Sequence, residues 1–303
     1  MKYYGEGKSA GFTAEGMAFI IENIQPFNLG IMLDGGQTFL WNRQKDESYI
    51  GVISGRVLKV RQQKGCLIFD SFPEDENIVE WIRDYFDLDR DYNSIEKWLC
   101  EYKELIPAVK YCSGNRILHQ DPWETTVSFI ISANNSIPNI KKTIARICEY
   151  FGEPLQFEGK TYYAFPLPKV LAEVPEGELR KTRCGFRAKY IAETARMVAN
   201  GEVGLSKLHE LPTQKAREQL MRLPGVGRKV ADCILLFSMQ KYDAFPIDVW
   251  IKRVLEHLYF KGQNMSQNKL QEFTSQRFGS MKGFAQHYLF HYTRTLWGKD
   301  IAR

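Results

Sequence analysis

Hydrophobic and polar positions alternate in short runs from Phe19 to about Asp70, and turn residues break the runs. Residues 30–33, 38–41, 49–53, 57–60 and 66–69 each read as a strand, because a period of two places alternate side chains on one face of a sheet. Ser54-Gly55-Arg56 and Gln63-Lys64-Gly65 suit hairpin turns, so the pattern predicts an antiparallel sheet. Beyond Pro73 the period lengthens, and Ile78, Trp81, Ile82 and Tyr85 fall on one helical face. Asp121-Pro122-Trp123-Glu124 then marks a helix start: an N-cap carboxylate, proline at the first helical position and glutamate three residues after the cap. That helix should run through residues 127–131 toward Ala133. From there the chain reads as helices almost throughout, broken at 152–154, 166–168, 184–185, 212 and 224–227.

The predicted fold class is therefore α+β, an N-terminal antiparallel sheet domain followed by a mostly α-helical domain. The expected boundaries are a loose tail over 1–16, with four glycines and several charges, an α+β unit over 17–116, and a helical unit over 117–303. No repeat of fixed period is present.

Composition adds constraints. A chain of 303 residues with 44% hydrophobic and 25% charged positions can bury substantial cores. Its apolar runs fall far short of the roughly 20 residues of a membrane-spanning helix. With no apolar signal core at the N-terminus, a cytoplasmic protein is expected. The six cysteines are scattered without metal-ligand spacing, so most should be reduced and buried. His287 and His291 lie i,i+4 but lack a third ligand nearby, and packing or solvent roles are the expectation. The net charge of +5 says little until it is resolved along the chain. Residues 180–303 hold 22 Lys/Arg against 10 Asp/Glu, or +12, and residues 1–179 hold 19 against 26, or −7. That asymmetry suits a surface docking on phosphates, although a solvated basic face has the same composition.

The most informative stretch is Leu223-Pro224-Gly225-Val226-Gly227-Arg228-Lys229-Val230. Glycines one residue apart permit a tight turn and leave amide N–H groups open at the start of a helix, where the dipole favours an anion. A bare turn of this kind also serves packing alone. Nineteen residues after Lys229, Phe245-Pro246-Ile247 leads to Asp248, a candidate cap of the next helix, and a helix over 230–239 with a short return would bring Asp248 near Lys229.

With these residues in place, the chain resembles the helix-hairpin-helix DNA glycosylase superfamily, the hairpin element covering about 216–248. Further matches point to the 8-oxoguanine branch: Gly35-Gly36-Gln37, Ser132-Ala133-Asn134-Asn135, Gly185-Phe186-Arg187 and Gly283-Phe284-Ala285-Gln286 with Phe290. The resemblance implies a bifunctional glycosylase and abasic-site lyase acting on double-stranded DNA containing 8-oxoguanine, as a monomer, with no metal or organic cofactor. By the same resemblance Lys229 is the amine nucleophile and Asp248 stabilises positive charge on the sugar. Partial burial and the neighbouring charge of Arg228 would help Lys229 lose its proton. The base pocket comprises Gly36, Cys233, Gln286 and Phe290. Asn134 and Arg187 contact the estranged base, Phe186 fills the gap in the stack, and Gly225, Gly227, Val230 and Trp250 meet DNA phosphate. Asn139 stands where the family often has an arginine, Ser136 where it has an asparagine, and Trp250 where it commonly has a phosphate-binding histidine. Relaxed discrimination for cytosine is therefore expected. Another lesion in the same superfamily, or a non-catalytic DNA-binding module, are the alternatives; the latter explains neither Lys229 nor Asp248.

Overall fold

The computed structural model describes residues 8–13, 16–73, 75 and 77–297. Six strands form an antiparallel sheet in the order β1-β2-β6-β5-β4-β3: β1 (Lys8–Thr13), β2 (Gly16–Ile21), β3 (Trp41–Arg43), β4 (Tyr49–Ile53), β5 (Arg56–Gln63) and β6 (Cys66–Phe72). Both expected hairpins are present. Ser54 and Gly55 turn β4 into β5 with positive φ at both positions, and Lys64 and Gly65 do the same between β5 and β6, the backbone twist that suits adjacent antiparallel strands.

Three expectations for this half change. Residues 8–13, assigned to a loose tail, pair along their length with β2; an edge strand gains backbone hydrogen bonds without needing a strong apolar alternation. Residues 1–7, 14 and 15 of that tail lie outside the described residues. The run 30–33 is part of a helix, α1 (Leu29–Asp34), because the Asn28 side chain accepts from Ile31 N–H as an N-cap. Leu29, Met32 and Leu33 then share a buried helical face. Of 38–41 only Trp41 enters a strand. Thr38 and Phe39 are buried in an irregular segment anchored by Gln37, whose amide donates to the Arg116 carbonyl at 2.9 Å and accepts from Leu118 N–H at 2.9 Å.

Helix α2 (Ile78–Tyr85) covers the sheet with Ile78, Ile82 and Tyr85. The following helices, α3 (Tyr92–Leu99) and α4 (Ile106–Cys112), pack elsewhere. Tyr92, Leu99, Leu105 and Cys112 belong to the core of the helical half, and Tyr288 hydroxyl donates to Glu96 at 2.9 Å. The apolar core thus places 92–112 with the second unit, although the expected boundary was at 116/117; the switch from sheet to helix and the division between cores do not coincide.

Helix α5 (Pro122–Ser132) starts as expected, the Asp121 carboxylate accepting from Trp123 and Glu124 N–H. Glu124 does not close a capping box. Its carboxyl accepts from Ser54 N–H at 2.9 Å, tying α5 to the β4–β5 turn. There follow α6 (Ile137–Phe151), a two-stranded sheet of β7 (Pro154–Phe157) and β8 (Lys160–Tyr163) that the helical reading missed, α7 (Pro168–Glu173), α8 (Glu176–Lys181), α9 (Arg187–Ala199), α10 (Thr213–Leu220), α11 (Arg228–Ser238), α12 (Val249–Phe260), α13 (Gln267–Phe278) and α14 (Lys282–Tyr292). No described helix is long and apolar enough to cross a membrane. Helix α11 is central. Its residues from Val230 through Phe237 are all buried, and it packs against α5 and α10.

Candidate active site

The turn between α10 and α11 is a glycine hairpin. Leu223 and Val226 are buried beneath it, and Gly225 has φ +81°, a conformation that favours glycine. A Cβ at Gly225 would lie 2.8 Å from the Tyr190 ring, so the hairpin can sit flush on α9 only without a side chain. The first intrahelical bond of α11 runs from Ala231 N–H to the Gly227 carbonyl. The amides of Arg228, Lys229 and Val230 precede that bond and are left for an outside acceptor. Two flanking helices are locked by a buried ion pair that sequence reasoning missed: Arg217 on α10 donates to Asp232 on α11 at 2.6 Å. Arg228 lies 4.0 Å from the same carboxylate, so its charge is directed at Asp232 rather than at Lys229 as expected. An aspartate inside an otherwise apolar helical run was the available signal for this pair.

Lys229 leaves the first turn of α11 on the face that also carries Cys233, and its Nζ stands 5.4 Å from the centre of the Phe129 ring. Burial pushes the Cys233 thiol up to about 11, partly offset by Lys229, so the thiol stays neutral. Asp248 closes the return from α11. Its side chain accepts from Ile251 N–H at 2.8 Å as the N-cap of α12. Burial holds its carboxyl above the usual aspartate range, against the pull of that N–H and of Lys229.

Lys229 and Asp248 open into one cavity of about 270 Å³, whose walls include Gly36, Cys233, Trp250, Gln286 and Phe290. All four expected pocket residues are therefore brought together with both expected catalytic residues, across 254 positions of sequence between Gly36 and Phe290. Gly36 has φ +90°, and a Cβ there would meet Ile137 and Arg294 at 3.0 Å. Gln37 holds this loop through its bonds to Arg116 and Leu118. Gln286, on α14, lines the cavity and donates from Nε2 to the Pro246 carbonyl at 3.1 Å; its buried Oε1 has no partner among the described residues. A buried acceptor left unpaired costs about 1–3 kcal/mol, and a ligand donor would satisfy it. Trp250 is half-buried and lines the cavity. The pocket also takes in Asn135, Ser136 and Arg294, which were not assigned to it from sequence. His287 also lines the cavity, bonded to Asn115 at 3.0 Å, and no group of three metal-ligating side chains occurs among the described residues.

A second cluster lies next to the pocket. Asn134 is exposed with φ +52°, and Arg187 donates to the Ala133 and Asn134 carbonyls, the latter at 3.1 Å. Phe186 is 54% exposed, with the Arg187 guanidinium 4.5 Å from its ring centre and Tyr190 edge-on to it. Phe186 is thus presented outward on a braced base rather than packed in the core. Among the six cysteines, all free, Cys112, Cys148, Cys184 and Cys233 are buried and Cys100 is exposed.

A hairpin with open amides, followed by a lysine and a capping aspartate in one cavity, defines a helix-hairpin-helix protein with an enzyme's pocket. Residues 19–126 match the family model for the N-terminal domain of 8-oxoguanine DNA glycosylase, and residues 127–279 that for HhH-GPD superfamily base excision DNA repair proteins. The chain belongs to the HhH-GPD superfamily. It is 34% identical over 259 residues to a probable N-glycosylase/DNA lyase of Methanothermobacter thermautotrophicus, covering 78% of this chain and 82% of that one. Among solved structures it is similar to MBOgg1 bound to a low-affinity DNA ligand, with 44% identity and TM-score 0.89 over 97% of this chain and 100% of that one. It is also similar to the 8-oxoguanine glycosylase/lyase of Clostridium acetobutylicum in complex with DNA containing cytosine opposite 8-oxoguanine, with 43% identity and TM-score 0.87 over 91% of this chain and 95% of that one.

Proposed function

We propose that this chain excises 8-oxoguanine from duplex DNA and then cleaves the strand at the resulting abasic sugar. The observation that carries the reading is one cavity lined by an amine, a half-buried carboxylate and Gln286, whose Oε1 has no partner among the described residues. The target atom of a stacked base is out of reach, so the nucleotide must be extruded, at a cost of a few kcal/mol. Phe186, outward and braced, fills the space it leaves, while Asn134 and Arg187 face the estranged base. The open amides around Gly225, Gly227 and Val230, with the Trp250 indole N–H, hold phosphate.

In the pocket the base lies between Cys233 and Phe290. Gln286 Oε1 accepts from its Watson–Crick edge, and the Gly36 carbonyl accepts from N7–H, the proton 8-oxoguanine has and guanine lacks. The Lys229 amine attacks C1′ through its lone pair; the glycosidic bond breaks, its electrons leave with the base, and the base takes up a proton. The sugar ring opens to a Schiff base on Lys229. Loss of a C2′ proton then expels the 3′ phosphate, and water hydrolyses the imine to free the lysine. Asp248 stabilises the positive charge that develops on the sugar. Because the substrate is chromosomal DNA, we place the protein in the cytoplasm, at the nucleoid in a bacterium.

Borohydride trapping on duplexes carrying 8-oxoguanine opposite each of the four bases tests the reading. A covalent adduct is expected with the unaltered chain and none with Lys229→Gln. No adduct from the unaltered chain removes the lyase, and an adduct on another lesion alone moves the substrate. With Asn139 in place of an arginine, and Arg187 already donating to three carbonyls, excision opposite other bases should fall within about tenfold of that opposite cytosine. Near-zero rates opposite all but cytosine contradict that expectation.

A further inference from the structure

We infer that Arg294 reads the lesion, donating a hydrogen bond to the C8 carbonyl oxygen of the flipped base. The inference rests on the reading above and adds a residue to it. Arg294 follows α14 in a π-helical turn and reaches back to the pocket wall. One end of its guanidinium is fixed: Nη2 donates to the Asp34 carbonyl at 2.9 Å, across 260 positions of sequence. The other end is placed against the loop that reads N7, since Nη1 lies 3.0 Å from where a Gly36 Cβ would stand. Nη1 and Nε have no acceptor among the described residues. The side chain is half-buried and lines the cavity.

The purine's geometry assigns the atom. Gln286 Oε1 is deep and takes donors from the Watson–Crick edge, while Lys229 and Asp248 fix the sugar end. Around the five-membered ring the order is N7, C8, N9, and N9 carries the sugar. With N7–H on the Gly36 carbonyl, the oxygen on C8 is the next acceptor toward the sugar, within the cavity that Arg294 lines beside Gly36. Guanine has only a C–H there. The N7–H contact therefore reads a donor and Arg294 an acceptor, and the lesion is distinguished by two adjacent atoms rather than one. A guanidinium can also bind a flanking phosphate, and the experiment separates the two.

Arg294→Met keeps the aliphatic bulk, and Arg294→Lys keeps the charge. Three readouts are compared with the unaltered chain: single-turnover release of 8-oxoguanine, strand cleavage at a preformed abasic site, and binding to a duplex carrying a tetrahydrofuran abasic analogue, which has the phosphates but no base. For Arg294→Met we expect base release to fall about tenfold or more, with abasic cleavage and analogue binding unchanged within about twofold, and for Arg294→Lys a partial rescue. Retained abasic cleavage also shows that the variant is folded. Equal losses on all three substrates assign Arg294 to phosphate or to folding and overturn the base contact, as does a variant that releases 8-oxoguanine at the unaltered rate. An unaltered chain that cleaves abasic DNA but leaves 8-oxoguanine in place removes the substrate reading itself, and this contact with it.

Discussion

Asp248 serves two roles with different demands on its charge. As the N-cap of α12 it needs only a side-chain oxygen for Ile251 N–H, and asparagine caps as well as aspartate. As the stabiliser of a cationic sugar it needs to be ionised, in a site where burial raises its pKa. A raised folded-state pKa means that the fold disfavours the ionised form at neutral pH, so this carboxylate is held at some expense of stability. Asp248→Asn should therefore melt no lower than the parent while base release falls roughly 100-fold. In the parent, rate is lost as pH falls through the Asp248 pKa, so the acid limb of the pH–rate profile should lie above the ordinary aspartate value of about 3.9. The limb should be absent in the variant's residual activity. A parent profile flat down to pH 4, or a variant melting several degrees lower, would contradict this account.

Among the elements, the hairpin shows most directly how a local pattern becomes geometry. Gly225 needs both its positive φ and its bare α-carbon against Tyr190, whereas Gly227 has φ −85° and open space around it. Gly225→Ala should cost about 1–3 kcal/mol in thermal or denaturant unfolding, and Gly227→Ala under about 1 kcal/mol; equal costs would mean the Tyr190 contact does not set the hairpin. This part of the site was legible from sequence because each piece is local: a glycine turn, a lysine after it, a capping aspartate, a glutamine and a phenylalanine one helical turn apart. Elements without a local signature were not. The helix α1 hides in a four-residue apolar run and is decided by the Asn28 cap; β7 and β8 lack apolar alternation strong enough to interrupt a helical reading. Arg217 with Asp232, Gln37 with Arg116, and Arg294 with Asp34 are fixed by contacts across 15, 79 and 260 positions, which periodicity does not report.

For the whole molecule, two features tie the halves to each other and to DNA. Glu124 joins α5 to the β4–β5 turn, and burial, reinforced by the Asp121 charge, pushes its carboxyl from 4.5 to about 8. Between those values the folded chain holds a proton that the unfolded chain has released, so the contribution is full below pH 4.5 and is lost as pH rises through 8. Glu124→Gln, which still accepts from Ser54, should flatten that part of the stability–pH curve and exceed the parent above pH 8 by on the order of 1–3 kcal/mol; parallel curves from pH 5 to 9 would exclude the effect. Charge partition acts on the partner instead. The positive excess lies on residues 180–303, and Lys189, Arg222, Arg228 and Arg253 are exposed on the elements around the hairpin, the Phe186 loop and the Asp248 helix. If these four meet phosphate, binding to an abasic-analogue duplex should fall with salt at a log–log slope of about −3.6. Because each phosphate contact contributes about 0.9 to that slope, Arg222→Gln should make it shallower by about that amount and weaken binding equally on damaged and undamaged duplex. Substituting the half-buried Lys59 of the sheet, which faces Glu158, should leave the slope unchanged. A shift at Lys59 as large as that at Arg222 would mean that the acidic half, and not only the helical one, lies against the DNA backbone.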